Sequence, residues 1–449
     1  MTTNLNSRQR KSPMDGFGTY VDQLEGMVAQ LVNQQCNSSS SAAVVAALNG
    51  GPAKELRRLV PIRQLRRHGA FFTGSKLAFR AVGGTLGRLS RSSMIGDFTC
   101  GAGDLLVACA AKLPIASSLT ETVFDWGNRL VGRDLQPEFV RATKARLALA
   151  AIERGALSRA DKRLRIADVF PNIRVGCGRT DIPSLRQCSH LVLNPPFTKV
   201  EAPDRCEWTS GSVNAAALFV ETCLRHARVG TRLMAILPEV LRCGARYHTW
   251  RALVEKLARV TRIEPVGQFD EWTDVDVFIM EAEVRSSDRT GGQSADWGYA
   301  IKKGDSRCVG DFFDVSVGPI VPFRTRNRGP WMPFLCPDTL PAWVIVDRTT
   351  RKIRYAGEGA TTPLVVVRRT SRLSDKKRAV GTIITVTSPI AIENHLVVLR
   401  PRDGQLATCK QLLKVLQATE TDMWLNQRIR CRHLTVSAVR DLPWLSDHR

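Results

Sequence analysis

Asn194-Pro195-Pro196-Phe197 is the stretch of this chain whose residue types speak most directly of chemistry. Two successive prolines make a rigid loop that donates no backbone N–H at either position. The Asn194 side-chain oxygen and the Pro195 carbonyl can both accept hydrogen bonds from one planar amino group. Phe197 can then stack on the ring that carries the amine. Asn-Pro-Pro also makes ordinary turns. This one follows an apolar strand-like run, His190 to Leu193, and has a glycine-rich turn upstream in the same alternating pattern.

That upstream turn is Asp97-Phe98-Thr99-Cys100-Gly101-Ala102-Gly103-Asp104. A strand end followed by Gly-x-Gly lets the backbone approach a ligand closely at the C-terminal edge of a sheet, although such turns also serve simply to pack a helix on a sheet. Asp134 ends the next strand-like run. An acid there can accept both hydroxyls of a ribose, or it can cap the helix that Pro137 begins.

These residues need a scaffold, and the patterning supplies one. Tyr20, Leu24, Val28, Leu31 and Val32 recur at helical spacing in a helical preface covering residues 1–60. Its apolar stripe must cover the main domain or a partner subunit, and the domain's own core is the simpler target. From residue 61 to 285, short apolar runs alternate with helical stretches. Strands are expected at Leu130 to Gly132, His190 to Leu193, Arg232 to Leu237 and Asp276 to Val284. Helices are expected at Leu105 to Lys112, from Pro137 to about Gly155, at Ala215 to Val229 and at Trp250 to Leu257. Such alternation implies an α/β fold with a doubly wound, mostly parallel sheet. A polar linker, Asp288 to Ser294, opens a third region, 286–449. Its short apolar runs (Leu364 to Val367, Thr382 to Thr387, Leu396 to Leu399) imply a mixed α/β or β-rich domain.

With these motifs in place the chain resembles the amino-group (N6-adenine) DNA methyltransferases that use S-adenosyl-L-methionine. The likeness is strongest over residues 60–285. Asn194 to Phe197 matches the family's N-P-P-Y/F catalytic motif. Asp97 to Gly103 resembles its D-P-x-C-G-x-G loop, with Phe98 in place of the proline. His68-Gly69-Ala70-Phe71-Phe72-Thr73-Gly74 resembles its methionine-end motif, with Gly74 where a proline is usual. The resemblance implies a class I methyltransferase-like sheet and a cofactor held by Phe72, Thr73, Asp97, Cys100, Gly101, Gly103, Asp134 and Asp181, with Asp168 the alternative to Asp181. It implies a flipped-out adenine presented to Asn194, Pro195, Pro196 and Phe197. The order of the motifs is that of the group whose recognition domain is C-terminal. The gap from Asp97 to Asp134 implies an inserted segment around Lys112 to Asn128.

Charge supports that arrangement. The 449 residues carry 65 Lys+Arg against 42 Asp+Glu, a net charge of +23, which calls for a polyanionic partner. Residues 285–449 hold 27 basic and 15 acidic residues, so +12 of the +23 lies there. Arg324, Arg326 and Arg328 alternate through a turn-like stretch, Arg368 and Arg369 follow an apolar run, and Lys376, Lys377 and Arg378 form a loop. All are candidates for phosphate contacts with double-stranded DNA. Asn394-His395 before an apolar run resembles a late element of the family's recognition domains and reads equally as a packed turn. No run approaches the roughly 20 apolar residues of a membrane span, and Met1 to Ser12 lacks a signal peptide's apolar core. Twelve single cysteines and seven scattered histidines form no metal-ligand pattern and read as reduced thiols in a cytoplasmic, DNA-associated protein. Alternatives with the same chemistry are cytosine N4, an RNA base or a protein glutamine. A modification subunit needing a separate specificity or restriction partner is another. No nuclease signature is evident.

Overall fold

The structure is a computed structural model that describes residues 15–34, 41–85, 89–158, 161, 164–273, 275–286, 297, 307–322, 324–325, 328–371, 375–429 and 433–444. Two compact units emerge, residues 1–241 with 249–295, and residues 242–248 with 296–449.

The first unit opens with five helices: α1 (Asp15–Gln34), α2 (Ala42–Leu48), α3 (Gly51–Leu59), α4 (Ile62–His68) and α5 (Ser75–Thr85). Of the stripe read from the sequence, Leu24, Val28, Leu31 and Val32 are buried and Tyr20 is half-buried; with Phe17 and Val21, also buried, it closes on this unit's own core. Strands and helices then alternate through β1 (Ile95–Asp97), α6 (Asp104–Ala110), α7 (Leu119–Arg129), β2 (Leu130–Asp134), α8 (Pro137–Glu153), β3 (Ile173–Val175), α9 (Ile182–Gln187) and β4 (His190–Leu193). A small hairpin, β5 (Lys199–Glu201) with β6 (Ser212–Asn214), precedes α10 (Ala215–His226), β7 (Arg232–Pro238), α11 (Glu239–Cys243), α12 (His248–Leu257), β8 (Ala258–Gln268) and β9 (Asp276–Val284).

Seven strands form one sheet in the order β3-β2-β1-β4-β7-β9-β8. β9 runs antiparallel to both of its neighbours, and the other strands are parallel. The first strand of the sheet lies at its centre, so the chain reverses direction across the sheet beside β1 and β4. That is where an open α/β sheet leaves a crevice at its strand ends. Asp97 ends β1, Asp134 ends β2 and Asn194 follows β4, so topology alone brings the candidate site together.

The inserted segment between β1 and β2 is α7. Ser118 caps it, and the Asp161 carboxylate accepts from Leu119 N (3.0 Å) and Thr120 N (2.9 Å). Trp126 on its inner face is fully buried.

The second unit contains α13 (Val309–Phe312), β10 (Phe313–Val317), β11 (Trp331–Leu335), β12 (Ile345–Val346), β13 (Lys352–Arg354), β14 (Leu364–Arg368), β15 (Gly381–Ile384), β16 (Ala391–Ile392), β17 (Leu396–Pro401), α14 (Leu406–Gln417), α15 (Thr419–Arg428) and α16 (Val436–Arg440). A five-stranded sheet, β10-β17-β14-β15-β12, and a three-stranded sheet, β13-β11-β16, carry its cores. It is mixed rather than purely β: Cys409, Leu412, Leu416 and Leu425 bring α14 and α15 into the core with Val365, Val367 and Ile383. Among the described residues no helix is long and apolar enough to cross a membrane.

Candidate functional site

The glycine turn is built around one buried arginine. Arg146 on α8 is fully enclosed, and its guanidinium donates to the carbonyls of Ala47 (2.8 Å), Leu48 (3.0 Å) and Ala102, and pairs with Asp104 at 2.8 Å. Ala47 and Leu48 end α2, so Arg146 satisfies carbonyls that the helix terminus leaves without partners. The same side chain therefore fixes both the helical preface and the turn. Asp104 in turn accepts from Gly74 N at 2.7 Å, which ties the Phe72-Thr73-Gly74 segment to the turn. Gly103 has φ +88°, and a Cβ there would stand 2.8 Å from Thr143 Cγ2. Both backbone angle and space demand glycine.

A cleft opens at this strand edge, lined among others by Phe72, Gly101, Asp134, Phe139, Asn194 and Pro196. Asp134 accepts from Gly101 N at 3.0 Å and Gln136 N at 2.9 Å, one through each carboxylate oxygen. Each oxygen keeps further acceptor capacity. Burial raises the Asp134 pKa against the pull of these N–H groups. Asp97 is 1 % exposed and accepts from Thr99 N (2.9 Å) and Thr99 Oγ1 (3.2 Å). Burial lifts its pKa to about 7, helped by the charges of Asp134 and Asp104. Of the three acids only Asp134 lines the cleft; Asp97 is buried behind the turn and Asp104 is paired with Arg146.

At the other side Asn194 Nδ2 donates to Thr73 Oγ1 at 2.9 Å. This bond directs the Asn194 Oδ1 acceptor away from Thr73, and it joins two segments 121 residues apart. Phe197 packs its ring edge-to-face on Phe269, with centroids 5.7 Å apart and planes at 82°. Asn214 holds the loop from below: Nδ2 donates to the Phe197 carbonyl at 3.0 Å, while Oδ1 accepts from Ala216 N at 3.0 Å and so caps α10.

Several expectations need correction. Asp181 does not line the cleft. It caps α9 by accepting from Ser184 N at 3.3 Å, and it pairs with Arg133 at 2.5 Å, so its carboxylate is held below the usual range by Ser184 and Arg133 against the opposing effect of burial. The alternative, Asp168, is exposed beside Arg165. The wall expected from these acids is formed instead by Gly176-Cys177-Gly178, directly after β3. A Cβ at Gly178 would fall 1.9 Å from the Phe98 carbonyl, so only glycine permits this approach. That second Gly-x-Gly was the available signal. Cys100 turns its side chain into the interior, where burial first, then Asp97 and Asp134, push its thiol pKa up, and only its backbone belongs to the turn. The roles of Gln136, Phe139 and Asn214 carry no local motif.

The C-terminal cations divide. Arg324 and Arg328 are exposed, and Arg326 lies outside the described residues. Arg368 and Arg369 are half-buried and donate to carbonyls, Arg368 to Leu340 at 2.7 Å and Arg369 to Asn394 at 3.3 Å. Lys376 is exposed, but Lys377 pairs with Asp422 at 2.9 Å. Arg378 is 1 % exposed and donates to Ser371 Oγ (3.0 Å) and Asn426 Oδ1 (2.6 Å). Arg378 is a core residue, and Lys377 and the Arg368–Arg369 pair are committed to the fold.

A central-strand-first sheet with a single reversed strand, and an acidic glycine turn at the β1 end, define the class I methyltransferase fold. No protein-family model matches the sequence, and no curated protein matches it either. Among solved structures, the type IIL restriction-modification enzyme MmeI, described in complex with DNA, superposes with a TM-score of 0.50 at 11 % identity, covering 93 % of this chain and 70 % of that one. The type IIG restriction endonuclease BpuSI gives 0.46 at 12 % identity over 97 % and 71 %. The M protein of the type I restriction enzyme EcoKI gives 0.31 at 12 % over 60 % and 64 %. The likeness to MmeI is one of fold.

Proposed function

We propose that the chain transfers a methyl group from S-adenosyl-L-methionine to the exocyclic N6 amine of a flipped-out adenine in DNA, within a restriction-modification or related system. The observation that carries this reading is the Asn194–Thr73 hydrogen bond, which presents a fixed amide acceptor in a cleft whose other side holds Asp134. The residues suit the cofactor. Asp134 has acceptor capacity left for two ribose hydroxyls, the turn at Gly101 and Gly103 admits close backbone approach, and Asp97 offers a carboxylate that a cationic amine would ionise fully. Phe72 and Thr73 border the methionine end. Bound there, S-adenosyl-L-methionine supplies a methyl group made electrophilic by its sulfonium.

Everything else is the chain's own work. An adenine amine is a poor nucleophile because its lone pair is delocalised into the ring. Asn194 Oδ1 and the Pro195 carbonyl, accepting its two protons, favour a pyramidal nitrogen whose lone pair is available. Phe197, braced by Phe269 and Asn214, offers a face for the base ring. The surplus proton leaves to solvent after transfer, so no side-chain base is needed. A base inside a duplex cannot reach this cleft and must be extruded. MmeI, whose fold is shared, is described with DNA, which supports DNA as the polyanion implied by the +23 charge.

The test is tritium transfer from labelled S-adenosyl-L-methionine to duplex DNA. Asn194→Ala should lower the rate by about 100-fold or more, as removing a positioned polar group typically does, while leaving cofactor affinity near the wild-type value. Mass spectrometry of digested product identifies N6-methyladenine. N4-methylcytosine or methylglutamine instead would move the reaction to another amine, and transfer unaffected by Asn194→Ala would refute the assigned role.

A further inference from the structure

The cations singled out by the sequence are partly consumed by the fold, and the second unit offers a different basic surface. β11 divides in two. Its C-terminal residues, Phe334 and Leu335, pair in parallel with β16, and Leu335 is buried beside Ile390 and Ile392. Its first three residues pair instead with β13 as an antiparallel ribbon: Trp331 opposite Arg354, Met332 opposite Ile353, Pro333 opposite Lys352.

Residues directly opposed share a face, and successive residues alternate. Trp331, Arg354, Pro333 and Lys352 therefore form one face, while Met332 and Ile353, both half-buried, form the other. On the first face Trp331 is 65 % exposed, and Lys352 and Arg354 are exposed beside it. Arg354 Nε donates to the Gly329 carbonyl at 3.1 Å, which holds the guanidinium beside the start of the ribbon. Neither strand carries an acidic residue, and Arg328 just before β11 and Arg351 just before β13 are exposed as well. An exposed aromatic with cations on the same face is the pairing that nucleic-acid contacts use, the cations for phosphates and the ring for stacking.

We propose that the β11–β13 ribbon is a contact surface for duplex DNA, with Lys352 and Arg354 on phosphates and Trp331 against a sugar or base edge. Charge complementarity commits the surface to a polyanion. A two-stranded ribbon is also one of the elements a DNA major groove admits. The inference rests on the functional reading above, because DNA is the substrate proposed there.

The experiment uses the full chain, a fluorescein-labelled duplex and a sodium chloride series, with binding read by fluorescence anisotropy. Lys352→Gln/Arg354→Gln should reduce the slope of log affinity against log salt by about two, since each phosphate contact contributes about 0.9. Trp331→Ala should weaken binding about tenfold at fixed salt, as loss of one stacking aromatic does, with the slope unchanged. Both variants should bind S-adenosyl-L-methionine like the wild type, showing that they are folded. A folded double variant with the wild-type salt slope, in a chain that still methylates DNA, overturns the ribbon alone. A wild-type chain that neither binds nor methylates duplex DNA overturns the functional reading, and the ribbon with it.

Discussion

At the end of β1 the Asp97 carboxylate is wholly enclosed, and burial outweighs the two hydrogen bonds from Thr99 to bring its pKa to about 7. An unfolded chain releases that proton near pH 4. Between roughly pH 4 and 7 the native state thus binds more protons than the unfolded one, and stability falls as pH rises through that window. Complete ionisation costs the native state on the order of 4 kcal/mol. Asp97→Asn removes the titration. The cofactor-free variant should melt at a higher temperature than the wild type at pH 8, with the gain vanishing near pH 4, while its affinity for S-adenosyl-L-methionine falls. A gain in Tm independent of pH would show that the burial of this acid is not its source. A cationic cofactor bound as proposed would offset this cost. Its sequence position, four residues before the first glycine of the Gly101-Ala102-Gly103 turn, was legible. Its energetic condition was not, because burial is set by residues from β2 and the neighbouring loops. Thr73 is similar: the sequence marks its segment, yet its bond to Asn194 spans 121 residues and exists only once α5, β1 and β4 are in place.

Among the elements, those with a clean period were readable and those at sheet edges were not. β4, α10 and β9 begin where the patterning places them, and β4 and most of β9 are buried on both faces, as central strands of a covered sheet are. β8 escaped because it is an edge strand: Arg259, Arg262 and Glu264 face outward in ion pairs, Pro265 interrupts the run, and the register shifts at Val260/Arg262 and Pro265/Gly267. Proline and irregular register are tolerated where one edge needs no partner. β3, at the other edge, has only Ile173 buried. The loop at residues 376–378 shows the converse error, in which a basic run looked like a solvated grip. α15 supplies Asp422 and Asn426 to Lys377 and Arg378, turning two of the three cations inward. Arg378→Ala should therefore destabilise the second unit by about 3 kcal/mol, because a buried charge-assisted network loses its centre and leaves Asn426 unsatisfied. Denaturant unfolding measures the loss. The salt slope of DNA binding should not change, and a reduced slope with intact stability would return Arg378 to the phosphate surface.

For the whole molecule, +23 is a statement about where counterions are released. Of the +12 carried by residues 285–449, the described cations that remain exposed include Arg324, Arg328, Lys352, Arg354 and Lys376. Lys377, paired with Asp422, and Arg378, enclosed among Ser371, Asn426 and the Ile429 carbonyl, are held within the fold away from any phosphate. Five phosphate contacts give a slope of log affinity against log salt near −4.5, which is about a 500-fold loss between about 50 and 200 mM salt. Cofactor binding follows different physics. In the proposed binding mode Asp134 acts at contact distance inside the cleft, where screening is weak. S-adenosyl-L-methionine affinity should then vary less than about threefold across the same range. Titrating cofactor and duplex separately at each salt concentration distinguishes the two. A DNA slope shallower than about −2 would mean that most of these cations face solvent for solubility alone, and an equally steep cofactor slope would place the charge effect in long-range steering rather than in contacts.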